Sequence, residues 1–180
     1  MALPKVQLKV RDVRGHLTFY RKMVRIPDDR IDPGTLVEVV DPDGAFVGRG
    51  FYNPLSQIAV RILSWNQTDQ DVLGARLAEA ARFRIDTLKL PQVTNAYRLC
   101  HAEGDGLSGL VVDRFGSVHS VELFSFGWVA QLDLIRRVFP GAWVRADERT
   151  QELEGFRLPA DPPPEPVVIR EYGVQYRIDF

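Results

Sequence analysis

The chain has 180 residues, 45% hydrophobic and 26% charged, with a formal net charge of −1, which suits one or two small soluble domains and by itself points to no partner. No apolar run approaches the roughly 20 residues of a membrane span, and the Met1-Ala2-Leu3-Pro4-Lys5 start has no apolar segment of the signal-peptide kind. The single cysteine excludes internal disulfides and cysteine-rich zinc sites, so the expectation is a cytoplasmic protein with no membrane partner.

Residues 6–10 alternate apolar and polar and predict a strand. Charge is uneven from the start: Lys5, Lys9, Arg11, Arg14, Arg21, Lys22 and Arg25 face only Asp12 within the first 25 residues, whereas acids outnumber bases from residue 66 onward. Such a basic end is either a footprint for phosphate or a solvated face. Residues 11–24 predict a short helix plus an extended piece, punctuated at Gly15-His16. Arg14, His16, Phe19 and Tyr20 mix basic and aromatic groups, as stacking on unpaired bases with phosphate neutralisation requires; Phe19 reads better as core, and Tyr20 is left open.

Residues 35–40 predict a strand, Asp41-Pro42-Asp43-Gly44 a hairpin turn, and residues 45–52 the return strand. The return carries Gly48 and Gly50, which mark a bend or a close backbone approach. Residues 57–63 predict the last strand of the group. Arg61 stands there among Ile58, Val60, Ile62 and Leu63, and needs a partner or an open edge. Several short strands with Gly/Pro turns predict a small barrel.

The polar stretch Trp65-Asn66-Gln67-Thr68-Asp69-Gln70 breaks the pattern and sets a domain boundary. Thr68 or Asp69 is the expected cap of a helix over 71–87, with Val72, Leu73, Leu77, Ala80, Ala81 and Ile85 inward and Arg76, Glu79, Arg82 and Arg84 outward. Strands follow near 96–102, 109–113 and 118–124, then a second helix over 128–138, a strand over 142–146, a stiff proline-rich loop over 161–166 and a closing hairpin of 167–171 with 174–180.

Gly104-Asp105-Gly106-Leu107-Ser108-Gly109 matches GxGxxG formally. That chemistry needs a helix after the glycines, and here a strand follows, so a loop between strands is expected instead. Cys100 and His101 adjoin in a predicted strand and point to opposite faces, which argues against a thiol–base pair. His16, His101 and His119 lack metal-ligand spacing. No spacing selects a carboxylate pair among Asp105, Asp113, Asp147 and Glu148, and Asp105 is expected to brace its glycine loop. A small enzyme using Cys100 or these acids ranks last among the functional readings.

Residues 34–40, Gly44 and 48–63 together resemble the N-terminal PUA domain of large-subunit rRNA cytosine-5 methyltransferases. Residues 11–20 are similar to that domain's Gly-His-Pro-Trp segment: Gly15 and His16 are kept, and Leu17 and Thr18 stand in place of Pro and Trp. Residues 98–116 resemble the family's central domain, with its Arg and its Glu-x-Asp-Gly-x-x-Gly-Leu-x-x-Asp-x-Tyr/Phe-Gly pattern, and 168–179 resemble that domain's end. The resemblance implies an α+β fold, a small PUA-like β-barrel over 1–66 followed by an α+β (EEHEE-like) domain over 67–180. In the family a Gly-Gln-Lys-Thr-Gly motif and a Rossmann-like domain come next and carry the S-adenosylmethionine site and the catalytic cysteine. With the chain ending at Phe180, no catalytic residue, cofactor or metal site is expected here. The implied role is non-catalytic binding of RNA, rRNA in particular, through Arg11, Arg14, His16, Lys22, Arg25, Arg49 and Arg61. Arg61 is alternatively a structural ion-pair member. A different reading is an interaction subunit that delivers a separately encoded methyltransferase domain to RNA.

Overall fold

The computed structural model describes residues 2–11, 13, 15–67 and 71–180. The first part of the chain forms a five-stranded sheet, in the order β1 (Lys5–Gln7), β3 (Thr35–Val40), β4 (Phe46–Tyr52), β5 (Ile58–Ser64), β2 (Thr18–Tyr20). β1 runs parallel to β3, and the other pairs are antiparallel. The sheet curls until its ends meet: Leu8 bridges Val24, the Lys9 amide donates to the Met23 carbonyl and the Arg25 amide to the Gln7 carbonyl, each at 2.8 Å. Closure pairs edges that would otherwise expose unpaired backbone groups. Val6, Leu8, Phe19, Val37, Val39, Val60 and Ile62 fill the interior. Phe19 is therefore core, and Tyr20 is half exposed. Where a short helix was expected within 11–24, the described residues form β2 and a single 3-10 turn at Arg21–Met23, because Thr18 and Phe19 are drawn into pairing with Arg61 and Val60.

The glycines of β4 answer to a close approach. A Cβ on Gly50 would lie 2.0 Å from the Arg61 carbonyl oxygen, and one on Gly48 would lie 2.7 Å from that of Ser64. A bulge between Arg49 and Gly50 shifts the register here, so β4 and β5 are pressed together at this bend.

The second part holds a four-stranded sheet, β6 (Ala96–His101), β7 (Leu110–Phe115), β8 (Val118–Leu123) and β9 (Trp143–Arg145) in that order, with β8 and β9 parallel. Helix α1 (Val72–Arg82) is capped by the Asp71 carboxylate, which accepts from the Gly74 amide; the expected caps Thr68 and Asp69 lie outside the described residues. Residues Phe83–Thr87 continue it as a π turn. Arg84, expected outward, follows Leu73, Leu77 and Ala80 at helical spacing and turns in, its charge met by Asp105, while Ile85, expected inward, is 43% exposed. The helix expected over 128–138 is broken into α2 (Phe126–Val129) and α3 (Leu132–Val138) at Ala130–Gln131. α2 is seated on the barrel: a Cβ on Gly127 would lie 2.1 Å from the Phe51 ring, and Trp128 meets Phe51 edge-on at 5.2 Å. α3 instead packs Ile135 into the second core. A further helix, α4 (Glu148–Glu154), lies where no element was expected. The hairpin of β10 (Val167–Glu171) and β11 (Val174–Ile178) hangs on the start of β6 through Asn95 and Val93.

Replacing Gly50 with Ala should lower stability by about 1–3 kcal/mol. A urea-unfolding midpoint equal to that of the parent would show that β4 and β5 are less tightly apposed than this.

Candidate functional site

Successive residues of β4 and β5 serve two different cores. Tyr52, Val60 and Ile62 point into the barrel, and Phe51 and Leu63 join the core of the second part. Arg61 shares that outward direction and is 8% exposed. Its guanidinium contacts Glu154 at 3.2 Å, the Ser108 hydroxyl at 3.2 Å, the Phe124 carbonyl at 3.3 Å and Glu103 at 3.7 Å. The Glu154 carboxylate, 6% exposed, also accepts from the Ser56 hydroxyl (2.7 Å), the Asn53 amide (3.2 Å) and the Phe126 backbone amide (3.3 Å). Asn53 donates a second bond to the Glu154 carbonyl at 2.8 Å. Most of the pair's donors and acceptors are occupied in this way, the condition under which a buried ion pair is tolerated, while the Arg61 Nε is buried without a hydrogen-bond partner among the described residues. Arg61 is thus placed as a structural ion-pair member at the junction of the two parts, away from solvent. Of its partners, Glu154 had no expected element around it. The local signal is Asp147 as cap, Glu148 in the first turn and Gly155 just past the end.

The other predicted RNA contacts lie on the barrel exterior in separate places. Lys22 and Arg25 are exposed beside the seam that closes the barrel, where Lys5 and Lys9 also face solvent while Val6, Leu8 and Val24 alternate inward. Arg25, Lys5, Pro4 and Gln7 line a cleft of about 350 Å³ together with the acidic Asp28 and Asp29. Arg11 is exposed but forked onto Asp43 at 2.9 and 3.1 Å, a contact that holds the Asp43 carboxyl below the usual carboxylate range. His16 is exposed ahead of β2. Arg49 lies against Glu38 at 3.4 Å with its side chain mostly covered. Arg14 is outside the described residues. The structure therefore brings Lys22 and Arg25 together with Lys5 and Lys9, and sets Arg11, His16, Arg49 and Arg61 elsewhere.

The remaining candidates are held in structural roles. Burial pushes the Cys100 thiol up to about 12, and the thiol points at the Leu110 carbonyl. The glycine segment passes from a 3-10 turn at Ala102–Asp105 through a turn over 106–109 into β7, so no helix follows the glycines. Asp105 braces that turn by accepting from the His101 amide at 2.6 Å and pairing with Arg84. Asp113 takes a forked contact from Arg98 at 2.8 and 2.9 Å, and Asp147 caps α4. Among the described residues no helix is long and apolar enough to cross a membrane.

Residues 9–65 match the family model of a PUA-like domain. Ribosomal RNA large subunit methyltransferase I of Erwinia tasmaniensis is 31% identical over 182 residues, a span of 93% of this chain and 46% of that relative. Its counterparts in Aliivibrio fischeri and Escherichia coli are 32% and 28% identical with the same coverage. The chain spans about half the length of the curated relatives it matches. Two solved chains designated methyltransferases share the fold: SMU.776 in complex with SAH, with a TM-score of 0.64 at 19% identity over 98% of this chain and 47% of that one, and a chain of Streptococcus mutans designated SAM-dependent, with a TM-score of 0.64 at 18% identity over 97% and 48%. The chain thus contains a PUA-like domain and is related to rRNA large-subunit methyltransferases.

Replacing Arg61 with Met should cost about 3–5 kcal/mol, because Glu154 is left buried without its cation, and adding Glu154→Met should recover part of that loss. Strict additivity in a double-mutant unfolding cycle would contradict direct pairing. Cys100 should stay unmodified by a thiol reagent at pH 8 in the native protein and react once urea unfolds it. Rapid native labelling would contradict its burial.

Proposed function

We propose that the chain binds RNA, specifically rRNA, through its PUA-like barrel over 1–66, and that the α+β part over 67–180 holds that barrel in place as the targeting portion of a cytoplasmic cytosine-5 methyltransferase system. The observation that carries this reading is the seam of the barrel, where Lys5, Lys9, Lys22 and Arg25 stand in solvent above a hydrophobic interior. Lysine and arginine in such a row neutralise phosphates without reading sequence. Arg11 and His16 lie apart from this seam and, with Arg14 of the same basic segment, are secondary contributors, Arg11 because Asp43 already holds it and Arg49 likewise because Glu38 shares it. Arg61 is assigned to the junction and not to RNA.

Within these residues the proposal includes no methyl transfer. The one thiol is buried and strongly disfavoured as a thiolate, so Cys100 is a poor nucleophile. A second reading, delivery of a separate methyltransferase domain, is favoured by the closing hairpin. There Val168, Tyr172, Val174 and Tyr176 are each about half exposed or more, which fits contact with another protein surface.

Filter binding of an rRNA fragment should show affinity that falls steeply between 50 and 200 mM salt. The Lys22→Glu/Arg25→Glu variant should bind about tenfold or more weakly, with a salt slope smaller by roughly one for each phosphate that is no longer neutralised. Salt-insensitive binding, or an unchanged variant, would overturn the barrel assignment.

A further inference from the structure

We propose a second RNA site, separate from the barrel, that stacks one unpaired base on Phe83; it rests on the RNA-binding reading above. Phe83 stands where α1 gives way to the π turn, with 47% of its surface exposed. The Arg84 guanidinium lies over the Phe83 ring, 5.4 Å from its centre. That guanidinium is fixed by Asp105 at 2.5 Å, the Arg98 carbonyl at 3.3 Å and the Ala80 carbonyl at 3.4 Å. The ring is therefore a backed, preordered platform and not a loose surface aromatic.

Beside the ring opens a cleft of about 340 Å³, lined by Arg76, Glu79, Ala80, Phe83 and the turn 104–106. That volume lies at the small end of ligand pockets and suits one planar ring better than a folded peptide. The two glycines leave backbone in place of side chains on that wall. The charges in the wall are already matched, Arg76 with Glu79 at 3.1 Å and Arg84 with Asp105, so the cleft does not select an anion. A neutral, flat group with hydrogen-bonding edges is what it accommodates. Beyond the cleft, exposed Arg82 adjoins Phe83 in the chain and offers a phosphate contact, whereas half-exposed Arg98 is already forked onto Asp113 and touches His101 Nδ1 at 3.2 Å. A neutral ring flanked by anions is a nucleotide base on its phosphate backbone. Only an unpaired base can be presented this way, because a base within a duplex keeps both faces stacked.

The test is fluorescence anisotropy of the full chain with a labelled uridine decamer and with a labelled blunt-ended RNA duplex that has no loop, backed by photo-crosslinking of a 4-thiouridine decamer. Phe83→Ala should bind the decamer roughly tenfold more weakly, bind the duplex as the parent does, and lose the crosslink to the peptide containing residue 83. Phe83→Trp should restore both signals. Parent-like binding of the decamer by Phe83→Ala, or an equal loss for decamer and duplex, overturns the site while leaving the barrel reading intact, since that reading answers to the Lys22→Glu/Arg25→Glu variant. If the parent binds neither RNA, both readings fall.

Discussion

The ion pair between Arg61 and Glu154 is the constraint on which the rest of the structure depends. It lies between the two parts of the chain, and the groups that compensate it are recruited from several separate segments. Ser56 and Asn53 come from the loop before β5, Ser108 and Glu103 from the glycine segment, Phe126 from the start of α2, and Glu154 itself from the end of α4. Since a buried charge without partners is costly, those segments must arrive in register or the pair cannot be accommodated. Hydrophobic contact between Phe51 and Trp128 gives the junction its adhesion, and the ion pair gives it a single geometry.

That geometry explains why two glycines recur at the contact. β5 can turn Arg61 and Leu63 outward only if β4 lies close behind it, which is the approach Gly50 permits. α2 can cover Phe51 only because position 127 has no side chain. The functional surfaces proposed above lie outside this contact, one on the seam of the barrel and one at the end of α1. A fixed junction is what gives two such surfaces a constant separation, so that one RNA can engage both.

The barrel was largely legible in the sequence, because its strands alternate, its hairpin turn is chemically explicit at Asp41–Gly44, and Gly48 and Gly50 announce a close approach. The sense of Arg61 was only half legible: the need for a partner could be read, but its identity depended on a helix 93 residues away. α4 is short and carries little apolar periodicity, so only its cap and its terminal glycine betray it. The break between α2 and α3 was hidden for a related reason. Helical spacing is a local signal, and α2 up to the break is held by its close approach to Phe51 and Gly34 of the barrel, where a Cβ on Gly34 would lie 3.1 Å from that of Ala130. In α1 residue type points Arg84 outward, whereas its spacing from Leu77 and Ala80 places it inward. The basic residues of the first segment were visible as a group, but exposure alone separates Lys22 and Arg25 from Arg49 and Arg61, and exposure is set by the fold.

The separation of Arg61 from Glu154 along the chain also has a consequence during synthesis. At about 5–20 residues per second, the ribosome releases the barrel several seconds or more before α4 is available. Until α1 and α2 have been made, Phe51 and Leu63 lie on an uncovered outer face of β4 and β5, an apolar strand surface that invites aggregation. A hydrated arginine between them keeps that face soluble, and the same charge later becomes the anchor on which the remainder of the chain assembles. One residue thus guards the nascent barrel first and locks the finished molecule afterwards.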